Sequence, residues 1–287
     1  MKSNNTTKGI ICIILSAFSF SIMAFFVRLS GDLPTMQKAF FRNFIAFLVA
    51  LFMLIKNNEK IYVPKSQWVD LFLRCTFGTI GLIANFYAVD HLNLADANIL
   101  NKLSPFFVIL ASIPILKEKP SKFDLLTVLL AFIGAIFIVR PTGDFTLFPA
   151  FIGLLGGCGA GIAYTFVRKL TNNGVKTPVI VLAFSLFSCL VTLPFMILDF
   201  HPMSIQQIIV LLGAGLAAAA GQFAITTAYK FAPAKDISVY DYTSVLFSAL
   251  WGFLIFAELP PLTSLIGYLI IFAVALLRFE YAKKLRQ

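Results

Sequence analysis

Ten apolar stretches of about 20 residues follow one another along this chain, roughly at 9–28, 35–55, 67–88, 95–116, 122–139, 147–168, 178–198, 206–229, 234–256 and 261–280. An α-helix rising ~1.5 Å per residue needs that length to cross a hydrocarbon core of about 30 Å. Backbone groups surrounded by lipid need partners within their own segment, so the stretches are expected to be helices. The alternation of apolar and polar residues that marks a barrel strand is missing. Composition agrees: 59% of residues are hydrophobic and 13% charged, with mean hydropathy +0.90. A soluble domain of 287 residues could not hide that much apolar surface. The expected fold is an all-α membrane protein of ten transmembrane helices, with the lipid bilayer as its main surroundings.

The net charge of +10 points to membrane topology, not to nucleic acid, once its distribution is considered. With the N-terminus inside, 17 of the 23 Lys and Arg residues fall in or beside cytoplasmic segments. Arg28, Lys38, Arg42 and Arg140 fall on the outer side, and Arg74 and Lys102 lie within spans. This bias follows the positive-inside rule and predicts that both termini are cytoplasmic. The basic segment Lys2–Lys8 and the apolar run after it lack a small-residue cleavage site, so they are expected to stay as the first helix. The connecting loops are short and leave no room for an inserted soluble domain. Cys12, Cys75, Cys158 and Cys189 all lie in apolar spans without CxxC spacing, which argues for buried free thiols over disulfides or zinc.

One stretch is written twice. Leu94 to Pro120 and Ala234 to Pro260 align at an offset of 140 residues, so that Asp96 meets Asp236, Ser104 meets Ser244, Glu118 meets Glu258 and Pro120 meets Pro260. The same offset brings Phe26-Val27-Arg28 onto Phe166-Val167-Arg168, and Phe132 onto Phe272. A constant offset over so much of the chain implies that five helices were duplicated as a block, with halves at 1–140 and 141–287. Five is odd, so the second block would enter the membrane from the opposite side. The halves are then expected to be inverted repeats, an arrangement typical of secondary transporters.

These features resemble the EamA-type members of the drug/metabolite transporter superfamily. The likeness lies in two five-helix halves, each ending in a proline-interrupted span, a Glu-x-Pro and a final helix. Ala39-Phe40-Phe41-Arg42 resembles that family's helix-two arginine motif, and Arg168-Lys169-Leu170 its central loop. The resemblance implies a multi-pass carrier of the bacterial inner membrane for a small organic metabolite. In one respect the halves differ. Pro105 in the fourth span is matched by Val245 in the ninth, so a kink is expected in the first half only.

Polar side chains inside the spans are the candidate substrate-binding residues. Asn98, Asn101, Lys102 and Pro105 recur at i, i+3, i+4 and i+7 and share one helical face. The second copy places Ser238, Asp241, Tyr242 and Val245 at those positions. Arg74, Gly78, Gly81 and Asn85 form another stripe in the third span. Charged groups within a span usually face the bundle interior or an aqueous cavity; snorkelling to the headgroups is the alternative for Arg74 and Lys102. Lys102 and Arg42 lie seven residues in from the outer side, ~10 Å deep at ~1.5 Å per residue. Asp241 and Arg74 stand level nearer the inner side and are expected to pair, leaving Lys102 and Arg42 without a carboxylate at their depth. The net charge inside the spans then predicts an outer half-cavity attracting carboxylate or phosphate groups. The competing reading ties Arg42 into a structural network with Asp32 or Asp96. Asp241 can serve as a permanent counter-ion, or can take up a proton and couple transport to the proton gradient.

Gly153, Gly157 and Gly161 step by four along the sixth span, as do Gly213, Ala217 and Gly221 along the eighth. Such stripes let helix backbones approach closely. Tyr164, Gln222 and Thr226 continue these stripes as candidate substrate contacts. Glu118 and Glu258 are expected to cap the following helix or to form loop ion pairs. Trp68 and Trp251 suit the interfacial aromatic belt. Neither a metal-ligand cluster nor a glycine-rich phosphate loop is present, and no nucleophile, base and orienting acid occur together. No enzyme activity, cofactor or nucleic-acid partner is therefore expected. A carrier for an amino-acid-like solute, carboxylate-bearing or zwitterionic, is the leading reading, as monomer or homodimer; a channel or a flippase for a lipid-linked substrate is the alternative.

Overall fold

The computed structural model describes residues 2–58, 61–117, 119–139, 147–231 and 238–284, and these residues are helical throughout with short turns between. The helices are α1 (Lys2–Leu29), α2 (Thr35–Lys56), α3 (Trp68–His91), α4 (Leu94–Asn101), α5 (Ser104–Leu116) and α6 (Lys122–Val139) in the first half of the chain. The second half holds α7 (Leu147–Asn172), α8 (Thr177–Leu198), α9 (Ile205–Phe231), α10 (Thr243–Phe256) and α11 (Leu262–Lys284). Eight helical stretches are long and apolar enough to cross a membrane, with Tyr240–Phe256 a shorter apolar helix. With α6 they account for the ten expected spans.

The fourth span is not one helix. It breaks at Lys102 and Leu103, between α4 and α5, with Pro105 in the first turn of α5. Proline is tolerated there because the first helical N–H groups have no intrahelical partner. Among the described residues the ninth span also departs from regular α-helix, with a 3₁₀ stretch at Ser238–Tyr242 ahead of α10. Irregular backbone is therefore not confined to the half that holds the proline. The second interruption needs no proline, because tertiary contacts of Asp241 and Tyr242, given below, hold it in place. The two copies repeat each other closely at their far ends too. α5 stops at Leu116 and α10 at Phe256, each followed by a left-handed residue, Lys117 (φ 56) and Ala257 (φ 54).

Lipid tails are as apolar as leucine, so helices in a membrane associate through close packing more than through the hydrophobic effect. The glycine stripes supply it. A Cβ added to Gly157 would lie 2.5 Å from the Leu100 carbonyl oxygen, and one on Gly161 2.7 Å from that of Ser104. α7 is thereby pressed against the break between α4 and α5. The other face of α7, through Gly156 and Gly159, meets Gly81 of α3 backbone to backbone. On α9, Gly213 and Gly221 receive the rings of Phe26 and Phe20 from α1. Around this core, side chains such as Phe52, Leu190 and Leu269 stay more than half exposed, as a lipid-facing surface requires. Gly161→Ala should cost about 1–3 kcal/mol, as overpacking generally does. A lowered melting temperature of the purified protein would register it. An unchanged one would mean that the contact gives way more easily than its backbone atoms suggest.

Trp251 departs from the belt expectation. Its ring packs near Phe18 and Phe25, and Nε1 donates to Ser21 Oγ at 3.3 Å, so it joins α10 to α1. Trp68, 61% exposed at the start of α3, fits the belt.

Candidate functional site

Lys102 and Asp241 meet where the two interrupted spans face each other. Lys102 caps the C-terminal end of α4, and Asp241 lies in the 3₁₀ stretch before α10. Lys102 Nζ donates to Asp241 Oδ2 at 2.7 Å, with the side chains only 10% and 15% exposed. Tyr242 Oη donates to the Lys102 carbonyl at 3.0 Å, taking up an acceptor freed by the helix break. One turn away, Asn98 Nδ2 donates to Ser248 Oγ at 2.7 Å and Ser244 Oγ donates to Asn98 Oδ1 at 3.2 Å. Each of these bonds joins the first half of the chain to the second. Asp241 Oδ1 is buried without a hydrogen-bond partner, so the carboxylate keeps one acceptor unused.

The pairing differs from the one expected by depth. Asp241 belongs to Lys102, not to Arg74, because the break lets the end of α4 lean toward the 3₁₀ stretch. A straight-helix depth scale cannot register that lean. Lys102 and Arg74 do not snorkel; both are buried.

Arg42 and Arg74 form a second group, apart from Lys102. Arg42 is 3% exposed and Arg74 5%. The charged and polar groups acting electrostatically on Arg42 are Tyr164, Arg74 and Cys189; those acting on Arg74 are Cys75 and Tyr164. Lys102 instead pairs with Asp241, and Arg42 bonds within its own helix to Asn43. Arg42 Nη1 donates to Asn43 Oδ1 at 2.7 Å, and Asn43 is held by the Ala39 carbonyl and by Ser188 Oγ of α8. The Arg74 guanidinium lies over the Phe184 ring at 4.3 Å. Among the described residues neither arginine has a carboxylate within ion-pair distance, and Nε of each is buried without a partner. The network of Arg42 with Asp32 or Asp96 does not form; Asp96 Oδ1 accepts instead from Tyr268 Oη at 2.7 Å.

Of the remaining candidates, Tyr164 is 37% exposed and lies within electrostatic reach of both arginines. Asn101, Gln222 and Asn85 are half-buried, and Asn85 Oδ1 lacks a partner. The Thr226 side chain and Glu118 lie outside the described residues. Glu258 forms an ion pair and a cap, as expected in kind, but the capped helix is α4 and not the one that follows. Its Oε1 accepts from Arg28 and its Oε2 from the Leu94 N–H, both at 2.8 Å. Sequence reasoning missed Ser244, Ser248 and Asn43, and it set Lys38 at a solvated flank. Lys38 is 1% exposed and bonded to Asp90 at 2.6 Å. The recurrence of Lys38 and Arg42 at i, i+4 on one face of α2 was the available signal.

A helical bundle with ion pairs and polar bridges buried between its halves defines a multi-pass membrane protein. The profile of the EamA-like transporter family matches residues 7–140 and 147–279, and the chain belongs to that family, within the drug/metabolite transporter superfamily. It is 32% identical over 280 residues to the pseudopaline exporter CntI of Pseudomonas aeruginosa, covering 96% of this chain and 97% of the exporter. A riboflavin transporter of Brucella anthropi is 26% identical, with 85% of this chain and 87% of the relative covered. An uncharacterized transporter of Helicobacter pylori is 27% identical over 96% of this chain and 95% of its own. A solved crystal structure superposes with TM-score 0.68 over 98% of this chain and 99% of that one, at 16% identity, and shares the fold.

Proposed function

We propose that this protein is a secondary carrier that moves a small organic metabolite across the bacterial inner membrane by alternating access. Residues 1–140 and 141–287 would be inverted five-helix repeats with both termini cytoplasmic. The observation that carries this reading is the Lys102–Asp241 bridge. Each partner comes from a different half, and each stands at the interruption of its span. Carriers of inverted-repeat design place substrate sites at such discontinuous helices, near the midplane and between the repeats. The double match to the family profile supports the two-unit division. The relatives are named for transport and not for catalysis, which supports a protein without enzyme activity.

Arg42 and Arg74, buried without a carboxylate partner among the described residues, favour a solute with carboxylate or zwitterionic character, amino-acid-like in scale. Asp241 is paired with an ammonium group, which favours a counter-ion of Lys102 over a proton carrier. Purified protein in liposomes should show counterflow that saturates with a carboxylate-bearing metabolite. Flux that never saturates would point to a channel, and a strict need for a lipid-linked substrate to a flippase. Either result would overturn the reading.

A further inference from the structure

A second inference concerns the two arginines and rests on the carrier reading above. We infer that Arg42 and Arg74 form a two-cation subsite that holds a solute through two carboxylates, one to each guanidinium. Isolated charges are among the most expensive groups to bury, and like charges side by side are worse. Structural arginines in a membrane are normally matched by a carboxylate or by backbone carbonyls. Here each of Arg28, Lys38, Lys102 and Lys169 has its carboxylate, in Glu258, Asp90, Asp241 and Asp70 respectively. Among the described residues Arg42 and Arg74 have none, and both reach one face of α8 a turn apart, Arg42 through Asn43 to Ser188 and Arg74 over Phe184.

Ser185 Oγ, next in sequence to Phe184 on α8, is buried without a partner. A group of that kind costs free energy unless a ligand or water completes it. The guanidinium fork fits a carboxylate through parallel hydrogen bonds. The two forks come from different helices, α2 and α3, so two separate carboxylates match them better than one. A monocarboxylate would leave a net cation behind. Tyr164, 37% exposed, is the least buried member of the group. The stacking of Arg74 on Phe184 would hold that guanidinium in place without neutralising it.

The test is thermal stability of the purified protein with matched probes. Malonate, succinate and glutarate are compared with acetate, butyrate and inorganic phosphate. At least one dicarboxylate should raise the melting temperature by about 5 °C when present well above its dissociation constant, while the monocarboxylates leave it unchanged. Arg42→Gln and Arg74→Gln should each abolish that rise. Without ligand, both variants should melt at or above the temperature of the parent protein, because each relieves repulsion between buried cations. Arg74→Lys, which keeps the charge and loses the fork, should retain a reduced rise.

Several results would overturn the subsite. They are no dicarboxylate effect at all, an equal effect from butyrate, an effect from phosphate alone, or ligand-free variants that melt well below the parent. The last would mark the arginines as structural. The carrier reading fails separately. Saturable counterflow that survives both Arg→Gln changes would remove the subsite and leave the carrier standing. A dicarboxylate effect with unsaturable flux would do the reverse.

Discussion

Asp241→Asn abolishes counterflow. The change leaves Lys102 Nζ, now 2.7 Å from its carboxylate and largely buried, as a cation with a neutral amide beside it. Removing one partner of a buried pair generally costs about 3–5 kcal/mol. If most of that falls on the state in which the bridge is closed, transport drops by at least ~100-fold, at 1.4 kcal/mol per factor of ten. Stability should fall with it, and the single variant therefore cannot separate folding from function. The double variant Lys102→Met with Asp241→Leu can. Replacing a buried pair by apolar side chains of similar size is often neutral or stabilising, so its melting temperature should return close to that of the parent. In the carrier proposed above transport should not return, because a permanent apolar contact would replace the ion pair that alternating access has to open and close. Recovery of counterflow in the double variant would demote the bridge to a structural contact.

The sequence carried much of this fold because the bilayer allows few alternatives. Hydropathy located every span. The offset of 140 matched helix ends that the structure then repeats to the residue, at Leu116 and Phe256. The glycine stripe of the sixth span named two of the close contacts, at Gly157 and Gly161, since a position that admits no Cβ leaves a periodic trace. Pairing between polar groups was less legible. Depth counted along straight helices put Asp241 level with Arg74, whereas the actual partner is set by two helix interruptions. One of these, at Ser238–Tyr242, has no proline to announce it. Asn98, Ser244 and Ser248 form their bridge through ordinary small polar residues, and nothing in composition separates these from serines that bond their own helix, such as Ser112. The neighbourhood of Arg42 and Arg74 likewise depends on how α2, α3 and α8 pack, which is a property of the whole bundle and not of any one span.

Glu258→Gln loosens the outer mouth, in the orientation proposed above. Glu258 sits in the turn between α10 and α11, yet its carboxylate bonds Arg28 and the Leu94 N–H, both of the first half. Arg28, at the end of α1, donates to it and to the carbonyls of Val89 and Leu92 at the end of α3. Leu94, the first residue of α4, donates its N–H to it. One carboxylate thus caps the positive end of α4, where the N-cap residue Asn93 makes no side-chain cap bond, while one guanidinium covers the negative end of α3. Glutamine keeps an acceptor for the Leu94 N–H and loses the charge, so the variant isolates the ion pair. Hydrogen bonds to charged groups contribute roughly 1.5–3 kcal/mol, which corresponds to a ~10–100-fold change in how often the mouth opens. Amide hydrogen exchange measures that opening directly. Exchange in residues 94–101 should accelerate by that factor in Glu258→Gln and in Arg28→Gln, and the double variant should add little to either, since both remove the same interaction. Unchanged exchange in both single variants would mean that the mouth is held shut elsewhere, with Tyr268 and Asp96 the next pair to test, because their 2.7 Å bond ties α11 to α4 independently of Glu258.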